Sequence, residues 1–349
     1  MFFWEPGTGR GTVIRFDPQP LLLILLLLPL AVTTGCNQFN APAAEQGTND
    51  SSQPAKLKVV ATFLPLYWFT KAVAGESAEV KILIPPGTQV HEYQSNPADV
   101  GAIAQTRALV KNGLGLEAFL ADTVRSAENP QLKVIDASQN IQPLQAISPV
   151  VQPGKRQQSP DSEPHPQAEK SSETPDTHSH ESGNPHVWLD PVLAAQQVET
   201  IRDGLITVDP QNKATYQANA ATYIQQLKVL DNQFRQSLQR YPQCTFVTFH
   251  EAFPYLARRY QLKQVAVVEL PEDNLSPADV QKTVATVKQY NVKALFGEPG
   301  VDNKLLQSLS RDLNLNLRTL DSLESGPLDP QHYFTAMKAN LQALESACQ

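Results

Sequence analysis

The sequence is poor in cysteine and histidine and has no long apolar span. Three Cys and seven His are spread over 349 residues. No Cys-x-x-Cys or His-Glu-x-x-His occurs, so the compact local signatures of metal sites are absent. The longest apolar run, Leu21 to Val32, is about 12 residues, whereas a membrane-spanning helix needs about 20. An excess of positive charge is lacking too. Lys and Arg number 28 against 35 Asp and Glu, a net charge of −7, with no basic cluster. That argues against a nucleic-acid partner. Hydrophobic residues make up 41% and charged residues 18%, a globular balance rather than a disordered one. The length suffices for two domains of roughly 100–200 residues each.

The first 36 residues read as targeting sequence. Arg10 and Arg15 flank the apolar run, whose length suits the core of a signal peptide. It ends in Thr33-Thr34-Gly35-Cys36, small residues before a Cys that resemble the lipidation box of bacterial lipoproteins. Thr33 stands where a larger aliphatic is usual, so ordinary secretion with a free Cys36 is the competing reading. Residues 37–55 are rich in Asn, Gln, Ala, Ser, Gly and Pro, the composition of a flexible tether. With lipid on Cys36, Cys244 and Cys348 remain as an even pair in an oxidising compartment, either disulfide-bonded or two buried thiols.

From Lys56 short apolar strands alternate with helical patterns, which argues for parallel sheets covered by helices. Strand-like segments are Leu57–Thr62, Val80–Ile84, Ala108–Val110 and Leu132–Ile135, then Thr245–Phe249, Val265–Val268, Ala294–Phe296 and Leu315–Thr319. Ser276-Pro277-Ala278-Asp279-Val280 echoes Asn96-Pro97-Ala98-Asp99-Val100, suggesting two lobes of one design. Between them Tyr216, Ala220, Tyr223, Leu227, Leu230 and Phe234 form one apolar stripe. Asp209-Pro210 reads as its cap and first turn. A coiled coil competes, but the stripe is under four heptads long and favours a helix laid across both lobes. Residues 151–183, polar and Pro-rich, read as a mobile loop.

The histidines follow this strand map. His91 lies in a loop past a strand, and His250 and Asp321 each follow one. Open parallel α/β sheets bind ligands outside the carboxyl ends of their strands. His186 lies between the polar loop and the next helical segment. His165, His178 and His180 fall within that loop among acidic residues, where they either gather metal loosely or belong to plain linker. His332 reads as structural. Spacing alone does not establish a site scattered over so much chain.

Longer motifs supply the link. They are Pro85-Pro86-Gly87…His91-Glu92-Tyr93…Pro97-Ala98-Asp99-Val100, Asn184-Pro185-His186-Val187-Trp188-Leu189-Asp190-Pro191, Thr248-Phe249-His250-Glu251-Ala252-Phe253 and Gly297-Glu298-Pro299. In this order the chain, over residues 57–349, resembles the metal-specific solute-binding proteins of ABC importers, the zinc and manganese group. The resemblance implies two lobes, each a parallel four-stranded sheet flanked by helices, joined by one long linker helix, with metal held between them. It implies an N-terminal lobe over 56–190, a connecting segment over 191–242 and a C-terminal lobe over 243–349. It implies His91, His186 and His250 as ligands, with Asp321 matching the family's late acidic ligand. Some zinc-binding members use water or a nearby acid there instead.

Three imidazoles and a carboxylate suit Zn²⁺, whereas Mn²⁺ prefers more oxygen; manganese-type members resemble the pattern with Glu in place of His250. The implied partners are a membrane permease with its ATPase, and the implied place is extracytoplasmic, anchored through Cys36, as a monomer. The expected cargo is zinc and no enzymatic activity is expected. The alternatives are a manganese or iron importer component, a metal-binding adhesin or buffer, and a zinc hydrolase using Glu92, Glu251 or Glu298 as general base.

Overall fold

The computed structural model describes residues 56–145, 183–268, 277–290, 292, 294–300 and 304–349. Cys36, the tether, His165, His178, His180 and all of the polar loop but Gly183 lie outside these residues. So does the unit Met1–Ser52; Gln53–Gln349 forms one compact unit.

The first half holds β1 (Leu57–Ala61), α1 (Leu64–Ala74), β2 (Ala78–Ile82), α2 (Pro97–Ala104), β3 (Ala108–Lys111), α3 (Leu120–Ser126) and β4 (Lys133–Asp136). Then come α4 (Pro191–Val208) and α5 (Lys213–Leu238). The second half holds β5 (Thr245–His250), α6 (Pro254–Arg259), β6 (Lys263–Val268), α7 (Pro277–Gln289), β7 (Ala294–Gly297), α8 (Lys304–Leu313), β8 (Asn316–Thr319) and α9 (His332–Cys348). The sheets run β2-β1-β3-β4 and β6-β5-β7-β8, each entirely parallel. Each half therefore has the same order: its second strand at one edge, its first beside it, then its third and fourth. The Pro-Ala-Asp-Val echo falls at matching points, because α2 and α7 each begin at that Pro and each follows the second strand of its half.

The central strands are apolar because both faces are covered. Ala108, Leu109 and Val110 of β3 are fully buried, the expected composition of a strand without a solvent face. Helix α5 spans 26 residues, about 39 Å at 1.5 Å per residue. Its predicted stripe is buried throughout, joined by Ile224 and Leu238. The stripe packs on α1, α4 and α9, so its partners are helices of both halves and no coiled-coil mate is needed. Phe69 of α1 meets Tyr223 of α5 at 6.0 Å and Tyr333 of α9 at 5.2 Å between ring centroids.

The start of the long helix differs from expectation. Pro210–Asn212 forms a separate 3-10 turn without a side-chain cap. The Asp209 carboxylate instead accepts from Asn212 Nδ2 at 2.8 Å and from the Tyr216 hydroxyl. Helix α3 begins only at Leu120. Gly113, Leu114 and Gly115 all have positive φ and unwind the approach to it. Cys244, just before β5, is bonded to Cys348 at the end of α9, with a Cα–Cα distance of 5.7 Å. Among the described residues no helix is long and apolar enough to cross a membrane.

Candidate metal centre

The carboxyl ends of the two sheets supply the side chains that meet between the halves. His91 stands on the loop from β2 to α2. Gly87 turns that loop with φ 81°, and Thr88 N–H closes the turn on the Pro85 carbonyl at 3.1 Å. The far end is pinned where Tyr93 OH donates to Asp99 Oδ2 at 2.8 Å. Asp99 also accepts from the Asn96 backbone N–H while Asn96 caps α2, a reciprocal capping box. Burial and the Asp99 carboxylate push the Tyr93 phenol up to about 12, so it stays a donor.

His186 is 1% exposed and precedes the 3-10 turn Val187–Leu189. Asp190 ends that turn and starts α4, its Oδ1 accepting from Val192 N–H at 2.8 Å. Its Oδ2 accepts from Arg259 Nε of α6 at 2.7 Å, tying the His186 segment to the second half. Burial raises the Asp190 carboxyl while Arg259 opposes the rise. His250 closes β5, is equally buried, and its Nδ1 lies 2.5 Å from Glu298 Oε1 just past β7.

These three imidazoles converge. His186 Nε2 lies 3.3 Å from His91 Nε2 and 3.3 Å from His250 Nε2. Zn–N bonds of about 2.0–2.1 Å in a tetrahedron put ligand nitrogens about 3.3 Å apart. The fourth member is Glu324: one ligand atom from each of His91, His186, His250 and Glu324 falls within 4.8 Å of the others.

Asp321 is not in this group. Its backbone N–H and carbonyl pair with the Asn340 side chain at 2.8 Å each, and its Oδ1 accepts from Leu323 N–H at 2.7 Å. That bend, with Leu323 at φ 70°, turns the chain so that the next acid enters the cleft. The loop is then held from the first half. Trp188 Nε1 donates to the Ser322 carbonyl at 2.8 Å, Gly87 N–H to the Glu324 carbonyl at 3.0 Å and Trp68 Nε1 to the Pro327 carbonyl at 2.9 Å. Gly326 has φ 143°, and a Cβ there would lie 2.9 Å from the His332 ring. His332 itself packs on Trp68 at 5.5 Å, outside the convergent group. Glu324 was missed because it lies five residues past the end of β8, with Asp321 nearer the strand; the Gly326-Pro327 pair after it was the available sign of a specialised loop. Glu298 and Glu251 are buried beside His250, whereas Glu92 is exposed.

Comparison with known proteins gives this cleft its context. Residues 59–347 match the family model of zinc-uptake complex component A, periplasmic (ZnuA). The chain belongs to this family. It is 30% identical over 325 residues to the high-affinity zinc uptake system protein ZnuA of Bacillus subtilis, covering 91% of this chain and 96% of that one. It is 33% identical over 303 residues to the zinc-binding lipoprotein AdcA of Streptococcus pneumoniae, covering 85% of this chain but only 57% of that protein's length. Among solved structures, the Zn(II)-bound ZnuA-like domain of pneumococcal AdcA superposes with a TM-score of 0.66 at 31% identity, over 84% of this chain and 99% of that domain. The laminin-binding protein of Streptococcus agalactiae, described as an adhesin with metal-transporting activity, superposes at 0.69 with 27% identity, over 84% of this chain and all of that one. The two parallel four-stranded sheets and the long α5 are thus the ZnuA-family architecture.

The choice between the two acids is open to direct test. Glu324→Gln replaces a carboxylate by a weaker neutral oxygen donor and is expected to lower zinc affinity by roughly ten- to a hundredfold. Asp321→Asn keeps an oxygen for Leu323 N–H and should stay within about threefold of the parent chain. Isothermal titration of both variants checks this; the reverse ranking would return Asp321 to the ligand set.

Proposed function

We propose that this protein captures Zn²⁺ outside the cytoplasm with His91, His186, His250 and Glu324 and delivers it to the permease of an ABC importer. The supporting observation is the cluster itself: three converging imidazoles, with His186 Nε2 at tetrahedral spacing from each of the other two, and a carboxylate beside them, in a cleft between two lobes. Zinc is the cargo that fits three nitrogen donors and one oxygen. Manganese is disfavoured because it prefers oxygen and sits low in the affinity order. The targeting sequence over 1–36 and the tether over 37–55 would hold the folded part at a membrane through lipid on Cys36. The lobes would then be 56–190 and 243–349, joined through 191–242. His165, His178 and His180 would gather zinc loosely or sense its abundance.

Deleting the gene should abolish growth in chelator-depleted medium, and the parent chain, but not His250→Ala, should restore it when zinc is scarce. Restoration by manganese rather than zinc would contradict the reading. Loss of membrane association and of labelled fatty-acid incorporation in Cys36→Ala tests the anchor; unchanged labelling would remove it. A chain lacking 155–182 should take up zinc more slowly under limitation, and equal uptake would remove the role given to the loop histidines.

Zinc binding should weaken in acid. A ligand imidazole must be neutral, so above the ordinary imidazole range, about 6.5, binding is little coupled to protons. Below it, up to three protons compete with one Zn²⁺, and apparent affinity falls with each unit of pH. Titrations between pH 5.5 and 8 check the sign, and a flat profile would count against a three-histidine site.

A further inference from the structure

Asn184 is buried, and the two ends of its side chain are committed to different parts of the cleft. Nδ2 donates to the Glu251 carbonyl at 2.7 Å, next to His250. Oδ1 accepts from the His186 backbone N–H at 3.1 Å and lies 3.0 Å from His186 Nδ1. Chemistry fixes which end is which. A carbonyl only accepts and a backbone N–H only donates, so turning the amide over would face acceptor with acceptor and donor with donor. Since Oδ1 is the end that meets the ring, His186 Nδ1 carries the proton. The lone pair of a neutral ring is then on Nε2, the atom 3.3 Å from Nε2 of both His91 and His250.

The backbone of Asn184 is also held in place. Its N–H donates to the Leu144 carbonyl at 2.7 Å, and its carbonyl accepts from the Tyr255 hydroxyl at 2.5 Å. The same hydroxyl accepts from Leu144 N–H at 2.9 Å. A helix of the second half therefore grips both strands of chain that lead to the His186 segment.

We propose that Asn184 is a positioning residue of the zinc site: it holds His186 in the Nδ1–H tautomer and, through the Glu251 carbonyl, sets the separation of His186 from His250 across the two halves. This rests on the zinc reading and deepens it. His186 and His250 are oriented by different chemistry, a neutral amide for one and the Glu298 carboxylate for the other. Outer partners of this kind fix ring orientation and proton position in metal sites, and losing one typically weakens binding ten- to a hundredfold.

The test uses the metal-stripped full chain with ¹⁵N-labelled histidine rings. In the parent chain, His186 should show a protonated-type Nδ1 and an unprotonated-type Nε2 before zinc is added, and zinc should shift Nε2. Asn184→Ala should lose that bias and bind zinc about ten- to a hundredfold more weakly. Asn184→Asp still accepts from the ring but cannot donate to Glu251. It should keep the Nδ1–H tautomer and recover part of the affinity lost in Asn184→Ala. Asn112→Ala is the structural control, because it removes a 3.0 Å bond to the Pro185 carbonyl in the same segment without touching the ring. It should lower the melting temperature but keep zinc affinity within about threefold. An Nε2–H tautomer in the parent chain overturns the proposal even if a variant fails to fold. So does Asn184→Ala binding zinc like the parent, or Asn112→Ala losing as much affinity as Asn184→Ala. A parent chain that keeps the tautomer yet binds no zinc would instead refute the zinc reading itself.

Discussion

Replacing His186 with alanine should lower zinc affinity by two to three orders of magnitude. Structural zinc sites give apparent binding energies of about 10–16 kcal/mol, or roughly 2.5–4 kcal/mol for each of four ligands, and each 1.4 kcal/mol is tenfold. His186 should lie at the upper end of that range, because it sits 3.3 Å from both other imidazoles and is buried against Trp188 at 5.0 Å between ring centroids. Water would replace it poorly in so enclosed a place. His91 is half-buried, and its alanine variant should lose less, because water can reach the vacated position. Chelator-competition titrations of the two variants check the order, and a loss of under tenfold in His186→Ala would mean that it is not a ligand.

Removing the disulfide should have a comparable effect on stability but not on binding. Cys244 and Cys348 are 104 residues apart in sequence, and closing a loop of about 100 residues restricts the unfolded chain by up to about 4.7 kcal/mol in the chain-entropy account. The paired change Cys244→Ser with Cys348→Ser should therefore lower unfolding free energy by about 2–4 kcal/mol. The end of α9 should fray first, since Leu344 and Ala347 are buried there and the bond is their covalent tie to β5. Zinc affinity should stay within about threefold, because His250 is at the other end of β5 from Cys244. Reductant should reproduce the loss in the parent chain. Identical denaturation curves with and without reductant would contradict this.

How far the sequence could be read depended on how local the cause was. β5 is legible because Thr245–Phe249 is a short run of β-favouring Thr, Phe and Val, nearly all of it buried, and α5 because its stripe keeps helical spacing within a helix of 26 residues. The ends of elements were harder. The Asp209 carboxylate gave up the helix start for a tyrosine hydroxyl, a contact that no cap pattern encodes. The three histidines could be nominated because strand ends and motif order were both visible. Glu324 could not, because its place depends on a left-handed Leu323 and on the Trp188 indole 134 residues away gripping the Ser322 carbonyl. Asp321, nearer the strand, fitted the pattern better, but its carboxylate is turned back onto its own loop.

The most direct test is a competition titration of the metal-stripped full chain, with Zn²⁺ and Mn²⁺ each set against a chromophoric chelator at neutral pH. The account predicts one tight zinc equivalent, poorly displaced by manganese, that weakens strongly in His186→Ala. Tighter manganese binding, or no tight zinc site, would contradict it.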